Sequence, residues 1–417
     1  MGISAALFSG SKCYFFDGAR YIRVTRGDEG PGTVDAGYPK PIAQWGWPAG
    51  FGQQGIDAAL YAGSKCYFFD GNRYIRVSRG ETGAGTVDAG YPKPITTWAW
   101  PGGFGQSGID AALYSGTKAY FFDGRLYLRV TRGGSEPWTV DDGYPRAIAD
   151  GWGWPGRFGR FGIDAALFSG TKCYFFDGNR YIRVTRGDVG PGTVDPGYSK
   201  PIHDVWNWPD GFGVGERVVV FFKTLLPVSA GLQSLIDAQY REMRRLFLKF
   251  GIEVLFGAVE DLSGNPDLED LVALDVGPCL LGQPTAEHEE LFAQRTGAGP
   301  DDVVVYVVQT LEGDNDSLLG CATHPAGRPG AAIVPTPALW LTAHEIGHVL
   351  RLRHVLRLRH VCEFPSDTNP NPPTPCVVGS TQSDNLMFPR MTWTRPPPNI
   401  SAAEAARMLA SSLSKPT

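Results

Sequence analysis

The stretch Tyr67-Phe68-Phe69-Asp70-Gly71-Asn72-Arg73-Tyr74-Ile75-Arg76-Val77 sets two runs of aromatic and β-branched residues either side of an Asp-Gly turn. That is the grammar of a β-hairpin. Its Phe68 returns as Phe15, Phe121 and Phe175, and the alanine pair that opens each copy begins at Ala5, Ala58, Ala111 and Ala165, spaced by 53, 53 and 54 residues. Each copy closes on a tyrosine, an isoleucine and a Trp-Pro: Tyr38, Ile42 and Trp47; Tyr91, Ile95 and Trp100; Tyr144, Ile148 and Trp154; Tyr198, Ile202 and Trp208. Units of this size hide their apolar faces only against one another. Four of them arranged radially make an all-β, four-bladed propeller.

The blade opening Ile56-Asp57-Ala58-Ala59, repeated at Ile109 and Ile163, the Tyr-Phe-Phe-Asp-Gly hairpin and the Trp-Pro closures resemble the hemopexin-like domain over residues 1–214, with blades at about 1–53, 54–106, 107–160 and 161–214. Ser4 breaks the aspartate pattern in the first blade. The resemblance implies a central channel in which backbone carbonyls and amides hold a Ca2+ or Na+ ion, and a docking surface for a matrix or surface protein. Haem is not expected, because its capture needs axial histidines and residues 1–215 contain only His203.

At 417 residues the chain exceeds what one hydrophobic core serves, so two domains are expected. Residues 1–215 carry 22 Lys and Arg against 20 Asp and Glu, and residues 216–417 carry 16 against 23. Neither balance suggests nucleic acid. No apolar run approaches the roughly 20 residues of a membrane span, and Met1 leads into repeat sequence without a charged-then-apolar leader. Cys13, Cys66 and Cys173 share one repeat position and are expected to be buried and outside any disulfide. Cys279, Cys321, Cys362 and Cys376 form a second group, in which a Cys362–Cys376 bridge closing about 15 residues would contribute about 3 kcal/mol and imply an oxidising compartment. Four thiols in a cytoplasmic protein is the competing reading, since pairing is not visible in sequence.

Beyond residue 215 the pattern becomes alternating strands and helices. Strands are expected at Val218–Phe222, Ile252–Phe256, Leu271–Val276, Val303–Val308 and Ala331–Val334. Leu232, Leu235, Ile236, Tyr240, Met243 and Leu246 recur at helical spacing with charges between them. Then comes His344-Glu345-Ile346-Gly347-His348 with uncharged flanks. Residues four apart lie about 40° apart around a helix, so both imidazoles can reach one metal ion and Glu345 stands beside it as a base. A solvated helix would carry charges on those flanks.

The motif, an edge-type strand before it and a methionine after it in Asn385-Leu386-Met387 resemble the metzincin metalloproteases, the matrixin branch above all, over residues 215–417. The resemblance implies an α/β zinc metalloprotease domain with Zn2+ on His344, His348 and His354, Glu345 as general base and Met387 as the Met-turn residue. It also implies a substrate extended along Ala331–Val334 and a side-chain pocket walled by Pro389, Arg390 and Met391. The glycine of the family pattern HExxHxxGxxH is Arg351 here. Were the helix to continue, His354 would lie about 9 Å beyond His348, too far to share an ion bound at about 2.1 Å. Arg351 must therefore turn the chain, and a left-handed non-glycine costs on the order of 1–2 kcal/mol, small beside the ~10–16 kcal/mol of a structural zinc.

Val349-Leu350-Arg351-Leu352-Arg353-His354 is repeated as Val355-Leu356-Arg357-Leu358-Arg359-His360. Counting from His348 selects His354, and counting back from Cys362 selects His360. Doubling the connection costs only about 0.6 kcal/mol of loop entropy, which does not choose between them. The added arginines read as a solvated loop, and His288 and His324 stand apart from the motif. The expected function is zinc-dependent endopeptidase action on a protein or peptide substrate, in an extracellular or secreted setting. The rival reading is a binding protein in which the propeller acts and the second domain is a relic.

Overall fold

The structure, a computed structural model, describes residues 3–10, 12–25, 32–78, 85–116, 118–134, 136–156, 158–185, 192–209, 211–213, 215–280, 282–313, 318–351, 386–387, 400, 402–411, 413 and 415–416. The chain divides into two compact units: Met1–Gly215 with Phe247–Glu253 and Pro416–Thr417, and Glu216–Leu246 with Val254–Lys415. Among the described residues no helix is long and apolar enough to cross a membrane.

The first unit is a four-bladed propeller. In the second blade, Ala58–Ala62 pairs antiparallel with Lys65–Asp70, which pairs with Arg73–Ser78, and the short strands Thr86–Val87 and Lys93–Pro94 both join the third. Phe68 faces Ile75 and Asp70 faces Arg73 across a two-residue turn whose Gly71 sits at φ +56°, a value that admits glycine without strain. The innermost strands Ala5–Ser9, Ala58–Ala62, Ala111–Ser115 and Ala165–Ser169 each pack against those of the two neighbouring blades. Alanines open all four, and Ala58 and Ala59, on opposite faces of their strand, are both fully buried where the neighbouring blades converge.

One aromatic pair seals each joint. Phe16 meets Phe68, Phe69 meets Phe121, Phe122 meets Phe175 and Phe15 meets Phe176, at 5.9 to 6.0 Å and 74 to 77°. These are edge-to-face contacts, in which the positive rim of one ring meets the negative face of the other. A polar latch accompanies each: the backbone N–H groups of Gly52, Gly105, Gly159 and Gly213 donate to Oδ2 of Asp70, Asp123, Asp177 and Asp17 at 3.0, 2.8, 2.8 and 3.1 Å. The last pair closes the ring. The closing isoleucines start single helical turns, Ile42–Trp45 and Ile95–Trp98 among them, and their N–H groups donate to Ala19, Asn72, Arg125 and Asn179 carbonyls at 2.8 Å.

Within three blades the opening aspartate accepts the hairpin glycine's N–H, Gly71 to Asp57, Gly124 to Asp110 and Gly178 to Asp164, each at 2.6 Å. Ser4 is too short to do the same and instead donates to the Phe16 carbonyl at 3.5 Å. Cys13, Cys66 and Cys173 are buried thiols outside any disulfide.

The second unit runs β1 (Glu216–Thr224), α1 (Ala230–Leu248), β2 (Ile252–Asp261), β3 (Ala273–Gly277), α2 (Ala286–Leu291), β4 (Val303–Val307), β5 (Thr310–Gly313), β6 (Gly320–Cys321), β7 (Gly330–Ile333), α3 (Leu341–Val349) and α4 (Ala402–Leu409). Its main sheet has the order β2-β1-β4-β7-β6, with β1, β4 and β7 parallel and β6 antiparallel to β7. β3 and β5 form a separate parallel pair. Leu274, Val276, Leu291, Phe292, Val304, Tyr306 and Val308 fill the core between the two sheets and α2.

One expectation changes. The strand expected to receive substrate, Ala331–Val334, is not an edge: β7 is bonded on one side to β4 and on the other to β6, so its main-chain groups are already paired. The edge falls to β6, whose two residues are too few to read as a strand. Among the second group of cysteines, Cys279 and Cys321 form a disulfide across 42 residues, tying the segment after β3 to that edge strand. Cys362 and Cys376 lie outside the described residues.

Candidate active site

α3 is buried along almost its whole length, as its uncharged flanks require. Its start is pinned from α1 by Gln239, whose Nε2 donates to the carbonyls of Thr336 and Ala338 at 3.0 and 3.1 Å and whose Oε1 accepts from Thr342 Oγ1 at 2.5 Å. Gln239 was missed in the sequence. Its signal was a polar residue three positions after Ile236 and seven after Leu232, on the apolar stripe of an amphipathic helix.

One helical turn places His344 and His348 face to edge, ring centroids 4.8 Å apart and planes at 89°. His344 Nδ1 lies 2.7 Å from the Leu386 carbonyl oxygen, which can only accept, so Nδ1 carries the proton and Nε2 keeps its lone pair. That is how a backbone carbonyl orients a metal-ligating imidazole. Leu386 and its neighbour Met387 are fully buried. At the other end of α3 the Leu350 N–H donates to Ile346 and the Arg351 N–H to His348, and Arg351 takes φ +69°. The chain thus leaves the helix at Arg351, in the left-handed conformation.

Glu345 faces β6. A Cβ built on Gly320 would come within 2.3 Å of Glu345 Oε1, so only a glycine lets the carboxylate lie against the edge strand. Burial pushes the Glu345 carboxyl up to about 8. Among the described residues the two imidazoles come together, Glu345 turns to the edge strand from the same helix, and no three His, Cys, Asp or Glu side chains are placed to share a metal ion. His354, His360, Pro389, Arg390 and Met391 lie outside the described residues. His324 and His288 stand elsewhere: His324 Nδ1 lies 3.0 Å from the Pro325 carbonyl, and His288 caps the start of α2 with Thr285.

Two imidazoles one helical turn apart, one of them oriented by a carbonyl, are donors of the kind a zinc ion takes.

The hemopexin family matches four stretches of the chain, residues 3–49, 56–102, 109–156 and 163–208, one for each blade. The propeller is a hemopexin repeat domain. Human neutrophil collagenase is 33% identical over 141 residues, 31% of this chain and 27% of its own length. Rat stromelysin-2 is 35% identical over 129 residues, 30% of this chain and 24% of its own. The chain therefore spans about a quarter of the length of these curated relatives, and the similarity lies in the hemopexin domain. A hemopexin fold protein of cow pea matches at 26% identity, covering 49% of this chain and 95% of its own with a TM-score of 0.43.

Proposed function

We propose that the second unit is a zinc-dependent endopeptidase of the metzincin type and that the hemopexin domain is its docking module for a protein substrate or matrix partner. The observation that carries this reading is the juxtaposition of His344 and His348 with a buried Glu345 that lies against the edge strand of the sheet. His344, His348 and one histidine of the doubled hexapeptide, His354 by spacing, would hold the zinc. When bound, that ion polarises the scissile carbonyl and acidifies the attacking water.

The residues of the chain do the rest. An extended substrate adds to β6, the terminal strand of the main sheet among the described residues, and its main chain then passes Glu345. With a cation held beside it, which would favour the ionised carboxylate over the protonated one that burial alone produces, Glu345 takes the proton from the attacking water and passes it to the leaving amine. Burial among apolar side chains keeps bulk water from competing for that carboxylate. The Cys279–Cys321 bridge holds the edge strand in place and supports an extracellular or secreted setting.

The test is metal analysis paired with cleavage of a panel of proteins by the wild type and Glu345→Ala. About one zinc per chain in both, with turnover reduced by roughly 10²–10⁴-fold in the variant, is the expected result. Zinc without cleavage of any substrate would leave a relic beside a working hemopexin domain, and no zinc at all would remove the metalloprotease reading.

A further inference from the structure

Each blade carries the same polar and aromatic constellation on its third strand and closing segment. The tyrosine pairs Tyr21–Tyr38, Tyr74–Tyr91, Tyr127–Tyr144 and Tyr181–Tyr198 have ring centroids 5.3 to 5.4 Å apart and planes at 72 to 77°. Arg23, Arg76, Arg129 and Arg183 lie over the second tyrosine of each pair, 5.1 to 5.4 Å from its centroid. Their Nε atoms are held by Asp35, Asp88, Asp141 and Asp195 at 2.5 to 2.6 Å. A second cation, Lys40, Lys93, Arg146 or Lys200, lies over the same ring. The same groups are therefore spaced alike in all four blades.

In the second blade the pocket is occupied from within the chain. Glu136 accepts hydrogen bonds from the hydroxyls of Tyr74 and Tyr91, each at 2.9 Å on Oε2, and from Arg76 Nη1 at 3.1 Å on Oε1. Burial works against its ionisation, but bonds from Tyr67, Tyr74, Tyr91 and Arg76 outweigh it and hold the carboxyl below its usual range. Trp138 covers the site, edge-on to Tyr67 and Trp98 at 5.3 Å. The other three copies spell the Glu136-Pro137-Trp138 segment Gly30-Pro31-Gly32, Gly83-Ala84-Gly85 and Gly190-Pro191-Gly192. Gly32, Gly85 and Gly192 sit at φ +79°, +72° and +82° with a carbonyl within 2.4 Å of any Cβ, so no side chain can stand where Trp138 does. Correspondingly Tyr91 is buried, whereas Tyr38, Tyr144 and Tyr198 are only partly so. Among the described residues no glutamate meets Arg23, Arg129 or Arg183.

We propose that the tyrosine-arginine pockets of the first, third and fourth blades are receptor sites for glutamate side chains of an acidic segment of a protein partner, and that Glu136 is a built-in copy of that ligand. The inference deepens the docking role proposed above and rests on it. Two hydroxyl donors and a guanidinium converge on the carboxylate in the occupied pocket, and the same donors are in place, at the same spacing, in the others. The cation above each tyrosine adds charge complementarity, which gives specificity for acid over amide.

The experiment is fluorescence anisotropy with a labelled peptide carrying three Ser-Glu-Pro-Trp units, and its Ser-Gln-Pro-Trp counterpart, titrated into the full chain in the Glu345→Ala background so that neither is cut. The glutamate peptide should bind roughly tenfold or more tightly than the glutamine peptide and weaken as salt rises. The combined Tyr38→Phe, Tyr144→Phe and Tyr198→Phe variant, which keeps the rings and removes three donors, should lose that preference. Combined Arg23→Gln, Arg129→Gln and Arg183→Gln should lose it too. Glu136→Gly should raise the peptide capacity by one further site. Equal affinity for the two peptides, or a preference untouched by both triple variants, overturns the proposal. If the wild-type chain nevertheless cleaves a protein faster than a short peptide containing the same bond, docking survives and only this pocket chemistry falls.

Discussion

At four joints of the propeller a glycine N–H meets an aspartate and two phenylalanines meet edge to face, whereas in the second unit one side chain, Gln239, pins the start of the motif helix and one glycine makes room for one carboxylate. The first region states each interaction several times over; the second states it once. The first blade already tests what repetition allows. Ser4 there replaces the aspartate that elsewhere fixes the hairpin glycine, and the blade keeps the strands and joint of its neighbours. A unit that uses each contact once has no such spare, so its stability is concentrated in fewer residues.

The sharpest attempt to break the contrast is Phe121→Ala. Phe121 is fully buried against Phe69, Trp98 and Trp100, and its loss should cost about 3–5 kcal/mol. Urea unfolding combined with hydrogen exchange should show the second and third blades losing protection together; a cost under about 1 kcal/mol would mean that repetition protects even the aromatic joints. Next in size is the Cys279–Cys321 bridge. Closing 42 residues contributes at most about 4 kcal/mol in the chain-entropy model, and Cys279→Ser with Cys321→Ser should lower the urea midpoint of the second unit while hydrogen exchange in the propeller is unchanged.

Acid separates the regions through different groups. Burial holds the His288 imidazole down to about 4, against 6.5 when unfolded, so the unfolded chain takes up a proton that the fold refuses. That contribution, on the order of 3 kcal/mol, is complete above pH 6.5 and fades as pH falls toward 4. In the propeller, burial opposes ionisation of Asp35, Asp88 and Asp195, but bonds from Lys12, Lys65 or Lys172 and the neighbouring hydroxyl and arginine bring each to about 2. Their contribution is present above 3.8 and disappears as pH falls through about 2. Glu345, held up to about 8, works the other way in the same unit, because the fold takes up its proton before the unfolded chain does. Calorimetry should therefore show His288→Phe more stable than the wild type below pH 6.5, by an amount that grows toward pH 4, while the propeller begins to lose stability only below 3.8. The smallest effect sharpens the contrast from the other side: Asp110→Ser, which copies the first blade into the third, should cost only about 1 kcal/mol by denaturant titration.

The propeller was legible because one pattern appears four times and chance does not repeat at intervals of 53, 53 and 54 residues. His344, Glu345 and His348 were legible because a helix fixes their relative positions locally, and the demand that Arg351 turn the chain followed from helix rise alone. What escaped notice depends on distant parts of the chain. Ala331–Val334 reads as a strand whether it lies inside a sheet or at its edge, and only the antiparallel partner Gly320–Cys321 decides which. The Cys279–Cys321 pairing likewise depends on where two segments 42 residues apart come to rest. Glu136 carries no local signal in the sequence, because its three tyrosine partners and its arginine belong to the preceding blade.

The bond from Gly213 to Asp17 differs in no chemical respect from those at the three internal joints. The ring consequently has no privileged seam. A gene rearranged so that the second blade is translated first and the first blade last would rebuild the same four junctions, with translation order mattering to the assembly only through which junction forms after all the others.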